Sequence, residues 1–266
     1  LGIGQSLLLG LVQGITEFLP ISSSGHLVLT ERLLNVKTSD LVFEVLVHVG
    51  TLVAVVVYFR RKLIDIARSL IHSLSKGAKT EDEKLNLRLA WFLILGTIPA
   101  VLFGLFFRDI VEAAFASPRW TSGEFIITGI ILISTIWARD RGRNFNNWNT
   151  LFIGVAQAVS IMPAISRSGS TISAGMFSGI NKEKAAEFSF LLSIPAIAGA
   201  TVLQIPEFIK LLPRLDLLWV YAVGMLVSGI VGYLSIRLLL DIIKRGKFFY
   251  FGIYCLILGI LGLMIF

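Results

Sequence analysis

Two short runs gather reactive side chains in an otherwise apolar chain: QGITEFLPISSSGH, from Gln13 to His26, and MPAISRSGST, from Met162 to Thr171. Gln13 and Glu17 lie one helical turn apart, so on a helix their Cβ atoms share a face at a separation of about 5–6 Å. Their oxygens suit one divalent cation. Glu17 is equally suited to act alone as an acid or base, or to be capped by a neighbouring hydroxyl. Pro20 disfavours helix at Leu19, Gly25 loosens the backbone, and Ser22, Ser23 and Ser24 are good N-caps for a new helix through Leu33. A helix start with free N–H groups and hydroxyls is an anion site. If that helix begins near Ser22, Ser23 and His26 share a face, where the imidazole can activate the Ser23 hydroxyl or a water. The bland alternatives are serines that only cap and a histidine satisfied inside a bundle. Arg167 sits between Ser166 and Ser168, is followed by Gly169, Ser170 and Thr171, and has no acid nearby in sequence. A guanidinium at membrane depth needs an anion, and phosphate fits its planar fork best. A purely structural pair with Glu17 is the competing reading.

The elements that must position these residues are apolar. The chain of 266 residues is 55% hydrophobic and only 15% charged, with a mean hydropathy of +0.82, too apolar for a soluble domain that must cover its core. Windows at 42–59, 89–107, 125–138, 185–205, 217–239 and 248–266 approach the roughly 20 residues needed to cross a bilayer, which predicts six spans. The net charge of +7 does not point to nucleic acid, because the basic residues form no stripe with interleaved aromatics. They cluster between apolar windows instead, as loop charges do. Cys255 stands alone, which excludes a disulfide framework or a cysteine-based zinc site within the chain. The opening LGIGQSLLLG has neither a basic n-region nor a cleavage site, so no removable signal peptide is expected. Residues 60–88 form the longest polar stretch and have room for one amphipathic helix. Glu44 and Glu187 each read as an interfacial anchor or a site residue, His48 and His72 read as structural, and the glycines of FGIYCLILGILGL read as close helix packing.

The two reactive runs also align with each other. Gln13 falls on Gln157, Gly25 on Gly169, and Ser22, Ser23 and Ser24 on Ser166, Arg167 and Ser168; Trp91, Gly96 and Gly104 match Trp219, Gly224 and Gly232 at one offset. Halves of about 1–140 and 141–266, each with one broken re-entrant segment and three crossings, are then inverted relative to each other within one transmembrane domain. Loop charge supports this: segments 60–88, 139–143, 181–184 and 237–247 carry 17 of the 24 Lys and Arg, the opposite loops 30–42, 108–122 and 206–216 carry 6, and Arg167 is the remaining one. The first set is expected to be cytoplasmic, with both termini outside. The expectation is an all-α integral membrane protein of about six transmembrane helices plus two broken re-entrant segments, which meet at a polar midplane site.

QGITEFLPISSSGH and PAISRSGST resemble the two signature motifs of the undecaprenyl pyrophosphate phosphatase family, the bacterial membrane enzymes often called bacitracin resistance proteins. The resemblance covers essentially the whole chain. The family's Glu or Gln, three residues, then Glu falls on Gln13 and Glu17. Its motif histidine falls on His26, and its Ser-Arg-Ser on Ser166, Arg167 and Ser168. Where the family usually has Gly after the second proline, this chain has Ala164. The resemblance implies hydrolysis of a polyprenyl pyrophosphate lipid to the monophosphate, recycling the carrier for cell-wall synthesis. It also implies a divalent cation, Mg2+ or Ca2+, and a multi-pass protein of the bacterial cytoplasmic (inner) membrane with its site open to the outer face. Glu17, Ser23, His26 and Arg167 are the expected catalytic residues. Gln13, Ser22, Ser24, Ser166, Ser168 and Thr171 are the expected substrate-binding residues, and Gln13 and Glu17 the metal ligands. The rival from another class is an inverted-repeat transporter or flippase of polyprenyl phosphate. A transporter needs the arginine but has little use for a Glu and a His poised together, and only hydrolysis releases phosphate. An ion channel is a poor third reading, since the site has one cation and no ring of like groups. Oligomeric state, a homodimer included, is left open by the sequence, as are the metal's identity and the lipid's chain length.

Overall fold

The computed structural model describes residues 1–33, 41–74, 80–211 and 215–266. Parts of three loops counted above for their charge, 34–40, 75–79 and 212–214, lie outside the described residues. The described chain is all helical: α1 (Ile3–Thr16), α2 (Ser23–Leu33), α3 (Leu41–Tyr58), α4 (Arg60–Ser73), α5 (Glu81–Phe106), α6 (Arg108–Phe115), α7 (Pro118–Ser134), α8 (Asn147–Val159), α9 (Arg167–Phe177), α10 (Lys182–Leu203), α11 (Ile205–Leu211), α12 (Leu215–Lys244) and α13 (Tyr250–Ile265). A single 3-10 turn, Thr135–Trp137, extends α7.

Every apolar window lies on a helix, but not every helix is a span by length and composition. Among the described residues four helices are long and apolar enough to cross: Glu81–Phe106, Pro118–Trp137, Lys182–Leu203 and Leu217–Lys244. The third window, short on its own, gains its length by extending back to Pro118. Residues 42–59 pass only together with α4, from which they are bent by 76°, and α13 is one of the shorter apolar helices. The structure therefore gives four spans, or five with the bent pair, where the apolar windows suggest six. The bend comes at the start of the run Arg60-Arg61-Lys62, a cationic stretch that hydrocarbon disfavours. The α4 helix is the amphipathic helix of the polar stretch: Lys62 donates to Asn86 Oδ1 at 3.1 Å and Asn86 to Ser69 Oγ at 3.2 Å, which stitches α4 to the start of α5.

Glycines set how closely the helices meet. A Cβ on Gly10 of α1 would lie 2.5 Å from Gly224 O on α12, and one on Gly154 of α8 would lie 2.6 Å from Gly96 O on α5. These are backbone-to-backbone approaches, which only glycine permits. On the alignment of the two halves, Gly10 corresponds to Gly154 and Gly224 to Gly96, so each contact is the other with the halves exchanged. The α13 glycines pack on α7 in the same way: a Cβ at Gly252 would meet Gly129 O at 2.7 Å, and one at Gly259 would meet Ser122 O at 2.7 Å. All five Trp are at least half exposed, as an interfacial belt requires.

Candidate active site

Both reactive runs interrupt helices. The α1 helix ends at Thr16 with Glu17 still in helical conformation as its cap, and residues 18–22 form a non-helical turn before α2; α8 ends at Val159, and residues 160–166 separate it from α9. The two breaks are bonded across the middle of the molecule. Ser22 Oγ donates to Pro163 O at 2.7 Å, Ser168 Oγ donates to Leu19 O at 3.2 Å, and Arg167 Nη2 donates to Glu17 Oε1 at 2.5 Å. Ser22 has φ +63°, the only non-glycine with positive φ among the described residues. Such a conformation costs a serine energy and persists only where its surroundings hold it. Here the hold is the Pro163 bond together with a 2.7 Å contact from His26 Nδ1 to Ser22 O.

Glu17 is the hub. Its Oε2 accepts from Gln13 Nε2 at 2.9 Å and from Ser23 Oγ at 2.6 Å, and His48 Nε2 lies 3.6 Å away. Gln13 and Glu17 are both buried, and Gln13 Oε1 has no partner. A polar cavity of about 140 Å³ opens here, lined by Glu17, Ser22, Ser23, Ser24, His48, Ser160, Ile165, Ser166 and Arg167. The first residues of α2 and of α9 are on its wall, so two helix N-termini converge on one small space. Each supplies free backbone N–H groups and the positive end of a helix dipole. Ser166 caps α9 by accepting from Gly169 N at 3.1 Å. Arg167 spends one nitrogen on Glu17 and another on Ser189 O at 3.4 Å, leaving further donors of its five N–H groups at the cavity wall. A largely apolar chamber of about 280 Å³ adjoins the cavity and shares Ser24 and His48 with it; Leu27, Val28, Phe115, Ile197 and Ala200 are among its other walls, and Glu44 is the one carboxylate on them among the described residues.

Of the residues singled out in the sequence, Gln13, Glu17, Ser22, Ser23, Ser24, Ser166 and Arg167 are brought together. Ser168 and Thr171 stand one layer behind: Ser168 reaches the first break, while Thr171 donates to Arg167 O at 2.7 Å and meets Ser189 Oγ at 2.6 Å. His26 is turned away from the cavity. Its Nε2 meets Tyr254 OH at 2.7 Å and its ring stacks on Tyr254, with Phe125 edge-on. Both ring nitrogens are thus engaged, and the expected bond between His26 and Ser23 is not formed. The imidazole beside the carboxylate is that of His48, which the sequence suggests is structural. Its Nδ1 is 2.7 Å from Glu44 O, which turns Nε2 toward Glu17. Ser160 and Ser189 carry no sequence signal that sets them apart from other serines. The only signal for His48 is an ionisable residue in an apolar helix, and the spacing along α3 does not say what it faces.

The bacitracin resistance protein BacA family matches this chain over residues 6–261. The chain belongs to that family. Among curated relatives of this bacitracin resistance family member, the undecaprenyl-diphosphatase of Carboxydothermus hydrogenoformans is 41% identical over 266 residues, covering 96% of this chain and 94% of its own. That of Korarchaeum cryptofilum is 41% identical, covering 97% of each. That of Methanosphaera stadtmanae is 38% identical, covering 100% of this chain and 98% of its own. Both runs that build the cavity fall inside the region that the family matches.

Proposed function

We infer that this chain is an undecaprenyl-diphosphate phosphatase, hydrolysing the membrane-bound pyrophosphate to undecaprenyl phosphate and inorganic phosphate and so recycling the lipid carrier for cell-wall synthesis. The observation that carries the reading is a serine bonded to a carboxylate in a cavity that also holds an arginine and two helix N-termini. A pyrophosphate brings two adjacent phosphates, and the two N-termini and Arg167 offer matching donors. The apolar chamber next to the cavity suits the start of the prenyl tail.

In this mechanism Glu17 takes the proton of Ser23 Oγ, which attacks the terminal phosphorus. The Oγ–P bond forms as the bond to the bridging oxygen breaks, and the lipid monophosphate leaves with the proton from Glu17. Glu17 then takes a proton from a water that attacks the phosphoserine, and returns it to Ser23 Oγ as the Oγ–P bond breaks and inorganic phosphate departs. Arg167 and the backbone N–H groups stabilise the charge on the phosphoryl oxygens.

A divalent cation fits on the condition that Glu17 gives up one of its present partners to it. Both Glu17 oxygens are already engaged, and the open donor is Gln13 Oε1; no three His, Cys, Asp or Glu cluster among the described residues. Such a donor set suits Mg2+, which takes one or two protein oxygens plus substrate phosphates, better than Ca2+ with its six to eight oxygens. Gln13 and Glu17 would hold the ion against the pyrophosphate. When bound, it supplies positive charge to the leaving and transferring phosphates.

For the whole chain we propose six crossings, the four long helices together with the shorter α3 and α13, with re-entrant segments α1–α2 and α8–α9, inverted halves at about 1–140 and 141–266, and a site open to the outer face of the cytoplasmic membrane. Support comes from the loop-charge bias and from the exchanged glycine contacts of α1 with α12 and α8 with α5. The deciding experiment is phosphate release from the purified protein in detergent with undecaprenyl pyrophosphate. Steady turnover is expected. Binding without phosphate would instead favour a polyprenyl phosphate transporter, which the repeat architecture also suits.

A further inference from the structure

A buried carboxylate outside the cavity has no part in the mechanism above. Glu124, on α7, is 6% exposed and its Oε2 accepts from Ala164 N at 2.9 Å, in the middle of the second break. One turn further along α7, the buried Thr128 donates through Oγ1 to Ala164 O at 2.8 Å and accepts on the same oxygen from Ser166 N at 3.1 Å. Two side chains on one helix face thus take three of the backbone polar groups of residues 164–166. We propose that Glu124 and Thr128 are positioning residues, a bracket that sets the second break and through it aims Ser166 and Arg167 at the phosphate.

The physical need is plain. Non-helical backbone at membrane depth must be satisfied by protein, since an unmet N–H or C=O in hydrocarbon has no water to bond to. Within the break itself, Ile165 N bonds back to Met162 O at 3.3 Å, but Ala164 N, Ala164 O and Ser166 N depend on α7. Ser166 is both the N-cap of α9 and a wall of the cavity, and Arg167 is the next residue. A shift of the Ser166 backbone therefore moves the helix N-terminus and the guanidinium together, and displacements near 1 Å are enough to cost rate. The α7 helix is a rigid place from which to hold them, because α13 is packed on it through Gly129 and Gly252. The bracket belongs to the second break alone. The first is held from α13, by Tyr254 through His26 and by Cys255 Sγ, 3.9 Å from Pro20 O.

The inference rests on the phosphatase reading for its kinetic consequence but not for its structural one, and the test separates the two. Thr128→Val removes the hydroxyl at constant shape, Thr128→Ser restores it, Glu124→Ala removes the acceptor and Glu124→Gln keeps one carbonyl oxygen. In detergent, amide hydrogen exchange across residues 160–170 and steady-state phosphate release from undecaprenyl pyrophosphate are measured for each. Thr128→Val and Glu124→Ala should exchange faster over that segment and lose kcat by about tenfold or more, a barrier change that an assay reads easily, with KM within about threefold of the parent. Thr128→Ser and Glu124→Gln should return both readouts toward the parent. Combined with Arg167→Lys, Thr128→Val should cost less than the product of the two single losses, because both act on one group. Parent-like exchange in either removal variant, parent-like kcat, or losses that multiply with Arg167→Lys would overturn the proposal. Should one removal variant not fold, the other decides. If the parent itself releases no phosphate, the phosphatase reading falls, and the exchange data alone decide whether the bracket holds the break.

Discussion

Arg167 carries two possible duties, and the structure has it in contact with Glu17 while it also lines the phosphate-sized cavity. A guanidinium that only neutralises Glu17 would be relieved by removing both partners, because the cost of a broken buried pair lies in the charge left behind. A guanidinium that clamps phosphate would not. Arg167→Lys keeps the charge and loses the planar fork, and we expect a deficit of about 3 kcal/mol in the transition state, a factor on the order of 100 in kcat. The double change Arg167→Ala with Glu17→Ala should recover thermal stability relative to Arg167→Ala yet stay near background in phosphate release. Parent-rate hydrolysis by Arg167→Ala would remove the clamp. The metal is tested at the same scale: chelator should abolish turnover, Glu17→Gln should lower it severely in a folded protein, and Gln13→Glu should be tolerated because an added carboxylate still offers oxygens. Full turnover in chelator would take the ion out of the mechanism. Residue types and helical spacing are enough to place Gln13 beside Glu17, since a four-residue interval on a helix permits little else. They do not reveal that His26 is bonded to Tyr254, or that His48 faces Glu17 from another helix, because those pairings depend on which helices pack together.

At the scale of the element, the broken helices are legible from Pro and Ser in apolar surroundings, and α13 is legible as a packing helix from its glycines. The bend between α3 and α4 is not, because hydropathy averages over a kink. The glycine contacts make a sharp comparison. Gly10→Ala would push a methyl against the backbone of Gly224, and Gly154→Ala against that of Gly96; neither neighbour can rotate away. Each should destabilise by about 1–3 kcal/mol, as overpacking does. Gly123, inside α7, has nothing within 4 Å of its missing Cβ. Gly123→Ala should be neutral or stabilise by up to about 1 kcal/mol through helix propensity. Thermal unfolding in one detergent ranks the three. Equal shifts for Gly10→Ala and Gly123→Ala would mean that α1 and α12 do not approach as closely as described. Gly10→Ala and Gly154→Ala should also resemble each other, since exchanging the halves turns one contact into the other.

That exchange has a consequence for how the whole molecule sits in the bilayer. If the two halves are related by inversion, they place corresponding loops on opposite sides, and the loop charges then predict which side is cytoplasmic. Arg119 and Arg143 lie beyond opposite ends of the span Pro118–Trp137 or at its first turn, so they flank one crossing. Arg61, at the start of α4, belongs to the same basic set as Arg143. With Cys255 replaced by Ser, single-cysteine proteins Arg61→Cys, Arg119→Cys and Arg143→Cys are treated in intact cells with a thiol reagent that cannot cross the membrane. All three positions are exposed in the folded chain, so burial does not mask the result. Arg119→Cys should be labelled, and Arg61→Cys and Arg143→Cys should react only after the cells are permeabilised. The reverse pattern would turn the molecule over and close the cavity's expected route from the outer face. Arg61 and Arg143 on different sides would mean an odd number of crossings between them, in conflict with α5 and α7 both spanning. In that case the inverted arrangement fails, and the exchanged glycine contacts reflect only the packing of similar sequences.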